Sequence, residues 1–228
     1  MTETLRAGFT TGTCAAAAAK AAALCLRGEE CRAVELCFPA GDTEILAIEN
    51  VERLSPSSAR ATVIKDAGDD PDITDGMSVV TTIELTGEGI TFYAGEGVGT
   101  VTSPGLQLPP GEPAINPVPR EMIAQALRDV LGDAGCRVTV SIPGGEAAAA
   151  KTFNPRLGIT GGLSILGTSG RVMPKSEDAW LRSLIPQIDV ALAAGYRQLF
   201  LTPGGFGEKA AIEKLGAELP AVIQTSNF

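Results

Sequence analysis

The sequence predicts an α/β protein: an α+β two-layer domain over residues 1–150, then a βαβαβ domain over residues 151–228 that looks short of a full doubly wound sheet. Three observations predict it. Hydrophobic residues make up 44% of the 228-residue chain and aromatics only 4%, so the interior must be built from Ala, Val, Ile and Leu. Between Cys31 and Tyr93, short runs rich in Val, Ile and Thr alternate with turn residues, the pattern of strands. From Phe153 onward the order becomes strand, Gly-rich turn, helix, strand, Gly turn, helix, strand.

Element by element, Thr10, Thr11, Gly12 and Thr13 precede an Ala-rich stretch of high helix propensity that runs to Gly28, with Thr13 or Thr11 as the expected N-cap. Strands follow within 31–48, 59–65, 78–85 and 89–93. A second helix spans Pro119 to Leu131, and a strand from Cys136 to Ile142 completes the first layer. In the second half, Leu181, Leu184, Ile188 and Leu192 keep helical spacing from Asp178 to Ala194, with Gly195 as C-cap and Pro186 set to bend or split the helix. Leu199–Leu201 reads as a buried strand, Glu208–Leu215 as a helix and Ala221–Thr225 as a last strand.

Composition removes many function classes. The formal charge of −9 repels nucleic acid and anionic membranes, and the Lys and Arg residues are dispersed. The absence of histidine excludes a Ser-His-Asp triad, a Cys-His pair and a His-bearing zinc site within this chain. Five cysteines without a C-x-x-C pair suit reduced thiols and a cytoplasmic location. The apolar run Cys14–Leu26 contains Lys20, is too short to span a bilayer and lacks a basic flank before it, so it reads as a soluble helix.

Several segments carry candidate chemistry. Thr10–Thr13 at a helix start offers unpaired N–H groups and hydroxyls to an anion, although a plain capped helix is the favoured reading of that segment alone. The loop KDAGDDPDITDG, Lys65–Gly76, holds five aspartates. It is a solvated turn, a metal site or a polar clamp, and its spacing misfits a calcium loop. Lys65 beside Asp66 and Asp69 is placed to hold it together. The loop Gly95–Gly111 is long and Gly- and Pro-rich, as functional loops often are, and leads to Asn116 and Arg120 at a helix start. Arg120 there suits a carboxylate, or pairs with Glu121 or Glu112. The glycines from Gly158 to Gly170 let a ligand approach the backbone, without a dinucleotide or phosphate-loop fingerprint. PGGFGEK, Pro203–Lys209, repeats that theme or is a tight turn.

Taken together, GFTTGTCAAAAAKAAA, KDAGDDPDIT, GEGVGTVTSPG, GEPAINPVPREMI and NPRLGITGGLSILGTSG resemble the CbiD family along nearly the whole chain. The resemblance implies an α+β domain followed by a Rossmann-like domain that runs further in the family than here. It implies methyl transfer from S-adenosylmethionine to ring carbon one of cobalt-precorrin-5B, giving cobalt-precorrin-6A in cobalamin biosynthesis. Cobalt enters only as part of the substrate, and no protein-bound metal is demanded. The tetrapyrrole's carboxylates would suit Arg6, Lys20, Arg120, Arg156, Asn116 and the helix start Thr10, Thr11, Gly12 and Thr13 in the 1–150 domain and at its border. The donor is expected on Gly158, Gly161, Gly162, Gly167, Ser169 and Gly170, and Asp66, Asp69 or Asp70 as base or polar orienter. A homodimer is the assembly expected of such an enzyme. The rival readings are a non-catalytic tetrapyrrole binder and a phosphotransferase using the Gly99–Gly111 loop.

Overall fold

The computed structural model describes residues 5–174 and 176–226. A short strand β1 (Gly8–Phe9) enters helix α1 (Thr11–Leu26), whose N-cap is Thr10, earlier than either expected threonine. Thr10 Oγ1 accepts from Thr13 N–H at 3.2 Å, and α1 is buried from Thr11 through Ala19. A helix apolar on every side must be covered on every side. Alanine makes that possible here, because its small side chain lets the helix lie close to a sheet on one side and another helix on the other.

The hairpin β2 (Ala33–Cys37) and β3 (Thr43–Ala47) stands beside a five-stranded sheet. That sheet is built from β4 (Asn50–Ser55), β5 (Ser58–Ile64), β6 (Ser78–Thr86), β7 (Ile90–Ala94) and, later in the chain, β9 (Gly135–Ser141), in the order β4-β5-β6-β9-β7. Between β7 and β9 come β8 (Thr100–Val101) and α2 (Pro117–Leu131). β7 and β9 are parallel, so β7, α2 and β9 form a crossover unit that leaves β7 at the sheet edge. Alternation is clean: Ala59, Ala61 and Val63 of β5, Val79 and Ile83 of β6, and Val138 and Val140 of β9 are buried. The buried Thr81 hydroxyl donates to Ala15 O at 2.9 Å, which ties the sheet to α1. α2 begins at Pro117 rather than Pro119, since proline fits the first turn where no N–H is needed, and it turns Met122, Ile123, Ala126 and Leu127 inward. β4 escaped the sequence reading because Glu52 and Arg53 make it a charged, exposed edge strand.

The second half departs from the expected βαβαβ order. After α3 (Gly145–Ala149), β10 (Ile159–Thr160) pairs antiparallel with β8, and β11 (Arg171–Val172) pairs antiparallel with β1. Both strands therefore join the first half instead of opening a parallel sheet. Helix α4 (Glu177–Ala193) is continuous through Pro186. Then β12 (Phe200–Pro203), α5 (Gly204–Leu215) and β13 (Val222–Ser226) make one βαβ unit with the two strands parallel. α5 starts four residues before its expected beginning at Glu208, so the glycines read as a turn form its first turn. The chain is thus a mixed α/β fold with a mixed main sheet. No helix among the described residues is long and apolar enough to cross a membrane.

Candidate functional site

The aspartate loop closes on itself. Arg6 forms two side-chain bonds to Asp66, 2.5 and 2.8 Å, and its backbone N–H donates to Asp69 at 2.6 Å. Gly68 N–H donates to Asp66 and Ala67 N–H to Asp75. Lys65 does not reach Asp66 or Asp69 as expected. The alternation of β5 carries it inward to 1% exposure, and Asp72 folds back over it at 2.8 Å while also accepting from the N–H and hydroxyl of Thr74. Arg6, led by its hydrogen bond, holds the Asp66 carboxyl down at about 2, which makes it a weak base. Asp72 is pushed up by burial, but the Lys65 and Thr74 hydrogen bonds outweigh this and its pKa falls. Asp70 moves the other way: burial and the nearby Asp72 raise it. Between Asp66 and Asp70, it is Asp70 that is poised upward.

The helix start is locked against the glycine segment. Gly12 N–H donates to Leu166 O (2.8 Å), Leu166 N–H to Thr11 Oγ1 (2.9 Å) and the Thr13 hydroxyl to Gly170 O (2.6 Å). Thr10, Thr11 and Thr13 are buried, so the helix terminus is filled by the chain's own carbonyls and hydroxyls instead of lying open to an anion. The glycines have the same explanation. A Cβ on Gly162 would fall 2.2 Å from Gly97 O, one on Gly167 2.2 Å from Thr10 Oγ1, one on Gly158 2.3 Å from Ser103 Oγ, and one on Gly170 3.0 Å from the Phe38 ring. At these four positions the chain itself takes up the space of a Cβ. Gly161 and Ser169 are exposed, and the Ser169 hydroxyl turns to Arg171 O.

The four expected cations do not converge. Lys20 donates to Glu35 O and lies 3.8 Å from Asp129. Arg156 is bonded to Glu208 and to Val222 O, linking the glycine segment to α5 and β13. Arg120 lies in an open cleft of about 560 Å³ at the β7 edge, with Phe92, Tyr93, Thr100, Gly111 and Glu112 on its walls. Its guanidinium sits 5.3 Å from the Phe92 ring centre and bonds to Ile115 O, Glu112 and Pro113 O. Of the two pairings read for it, the one with Glu112 forms. Asn116 makes no side-chain cap, and its N–H donates to Ile165 O. Across β7, Arg137 lies 4.4 Å over Tyr93, and its hydrogen bond lowers the phenol's pKa. The long Gly–Pro loop walls this cleft through Thr100 and Gly111. Tyr93, Phe92 and Arg137 went unnoticed in the sequence; adjacent aromatics beside the longest loop, in a chain with so few, were the available signal.

The family model described as CbiD matches residues 1–174. The chain belongs to the CbiD family. Curated CbiD relatives carry the name cobalt-precorrin-5B C(1)-methyltransferase. The protein of Moorella thermoacetica is 53% identical over 100% of this chain and 62% of its own length. Those of Desulfitobacterium hafniense and Methanocaldococcus jannaschii are 47% and 50% identical, covering 98% and 97% of this chain and 58% and 62% of theirs. The chain thus spans less than two thirds of these relatives' length. The crystal structure of the cobalamin biosynthesis protein CbiD from Archaeoglobus fulgidus aligns with a TM-score of 0.57 and 30% identity, over 96% of this chain and 70% of that one.

Proposed function

We propose that this chain takes part in methyl transfer from S-adenosylmethionine to ring carbon one of cobalt-precorrin-5B, giving cobalt-precorrin-6A. The observation that carries the reading is 53% identity, across the whole chain, to a relative named for that reaction. In this reading residues 1–150 hold the tetrapyrrole and residues 151–228, read as Rossmann-like, hold the donor; a cytoplasmic setting and a homodimer belong to the same proposal.

The cleft beside β7 supplies the substrate side. Its open shape suits the rim of a large flat ring, Tyr93 and Phe92 offer aromatic surface, and Arg120 offers a cation to a peripheral carboxylate. The donor's sulfonium supplies an electrophilic methyl group when bound. The protein's part is to hold acceptor carbon and methyl in line, about 3–3.5 Å apart. Of Asp66 and Asp70, Asp70 is the better suited to take up a proton, because burial and Asp72 raise its carboxyl while Arg6 lowers that of Asp66. The tight packing at Gly158, Gly162, Gly167 and Gly170 fits the donor poorly, whereas Gly161 and Ser169 stay accessible to it.

The test is calorimetric titration of S-adenosylmethionine, followed by anaerobic turnover with cobalt-precorrin-5B. Saturable binding and a product heavier by one methyl substitution support the proposal. Tetrapyrrole binding without donor binding makes the chain a carrier instead. Arg120→Gln is expected to weaken tetrapyrrole affinity roughly ten-fold, the worth of one hydrogen bond to a charged group.

A further inference from the structure

The junction of β12 and α5 has the makings of an anion site that the preceding assignments do not use. Pro203 stands at the N-cap of α5, no side chain caps the first turn, and that turn carries no acidic residue. The Gly204 N–H is taken up by the β12–β13 pairing at Pro203 and Ser226, whereas the N–H groups of Gly205 and Phe206 lack the partner that Ser, Thr or Asp at that position would give. Glycine fills three of the first four helical positions, and the space over Gly205 is open: a Cβ there would meet nothing within 4 Å. Glu208, just beyond, is neutralised by Arg156.

A second observation lies at the same turn. Thr202 is only 7% exposed, and its Oγ1 is the one buried side-chain nitrogen or oxygen without a hydrogen-bond partner among the described residues. It lies beneath the first turn of α5, since a Cβ on Gly207 would fall 3.0 Å from Thr202 Cβ. A buried hydroxyl left unpaired lowers stability and calls for a ligand group to complete it. The place is also the carboxyl end of a parallel strand, where open α/β units hold their ligands, and Phe206 stands beside it 88% exposed.

We infer that this turn binds a carboxylate through the Gly205 and Phe206 N–H groups and the Thr202 hydroxyl. On the methyl-transfer reading, on which this identification rests, the carboxylate is the amino-acid end of S-adenosylmethionine. Free phosphate shares the chemistry and serves as the control ligand.

The experiment titrates S-adenosylmethionine and its decarboxylated analogue into wild type, Thr202→Val and Gly205→Asp, with thermal melting of each protein. Wild type is expected to prefer the carboxylated donor by at least about ten-fold, as a charge-assisted contact implies. Thr202→Val should shrink that preference while raising the melting temperature, because the methyl group needs no partner. Gly205→Asp, which has room for its side chain, should abolish the preference by repulsion, and it answers the question if Thr202→Val fails to fold. Equal affinity of wild type for both donors overturns the carboxylate site and leaves methyl transfer standing. If neither donor binds while inorganic phosphate shifts the melting point through Thr202, the donor assignment falls with the reading that gave it.

Discussion

The layer built on α1 and the unit built on β12, α5 and β13 use similar apolar residues to different effect. In the first, Cys14–Ala19, Val79, Ile83, Val138 and Val140 are all fully buried, and the sheet is five strands wide. In the second, the sheet is two strands wide, Leu201 is 64% exposed and Leu215 67%. Both regions contain regular, hydrogen-bonded elements, so secondary structure is not what separates them. The difference is layering: α1 is covered by a five-stranded sheet and by α2, whereas α5 and α4 lie on a strand pair only two wide, whose β12 strand leaves Leu201 exposed. Local stability follows buried contact, and the two regions should respond differently to the same class of change.

The largest effect belongs to the buried cation that anchors the first region. Asp72→Ala would leave Lys65 charged and 1% exposed without its partner, at a cost of about 3 kcal/mol, the low end for a broken buried pair because Asp72 is partly open. Lys65→Met with Asp72→Asn should recover most of that loss in urea unfolding. If Asp72→Ala alone leaves the midpoint unchanged, the loop does not depend on this pair. Next in size is packing. Ala18→Leu pushes three extra carbons into the contact of α1 with the sheet and α2 and should cost about 1–3 kcal/mol. Leu215→Ala in α5 removes as many carbons from an exposed position and should stay within about 0.5 kcal/mol. Equal losses would mean that α5 is as well covered in solution as α1.

How much of this was legible in the sequence follows from the same contrast. Where one face of a strand is buried and the other wet, period two is written in the residues, and 58–64, 78–86 and 135–141 were found within a residue or two. β10 and β11, two residues each, are defined by their partners β8 and β1, and no local pattern announces a partner. The glycines at 158, 162, 167 and 170 read as places where a ligand approaches the backbone. What approaches is a matter of tertiary structure, and here it is Ser103, Gly97, Thr10 and Phe38. Arg6 and Arg156 read as free cations because sequence does not show that Asp66 and Glu208 already hold them, and for Arg120 it left Glu112 and Glu121 undecided. Thr202 was not singled out at all, because an unpaired hydroxyl is visible only as an absence of neighbours.

Amide hydrogen exchange reads the comparison without any mutation. Amides of β6 and β9, paired on both sides in the five-stranded sheet, should exchange through global opening. Those of β12 and β13, paired with each other alone, should exchange faster by local opening. Matching protection factors would show that the two regions open as one cooperative unit. Adding the methyl donor sharpens the test, since a ligand seated at the β12–α5 turn should slow exchange in the second region more than in the first.

The smallest expected effect is the pH response of the Arg6–Asp66 pair, which ties the approach to β1 to the aspartate loop. The Asp66 carboxyl is lowered from its ordinary 3.8 to about 2, chiefly by the Arg6 hydrogen bond. A depressed carboxylate binds protons more readily when the chain is unfolded. Its contribution is therefore complete above about pH 4 and is lost as the pH falls through the folded value near 2. Both side chains are about half exposed, so solvent screens the pair and the contribution is small. Asp66→Asn should melt slightly below wild type at pH 6, and the gap should close between pH 4 and pH 2. A gap that persists at pH 2 would assign the effect to the hydrogen-bond geometry that the amide NH2 of asparagine cannot reproduce toward Arg6, rather than to the charge on Asp66.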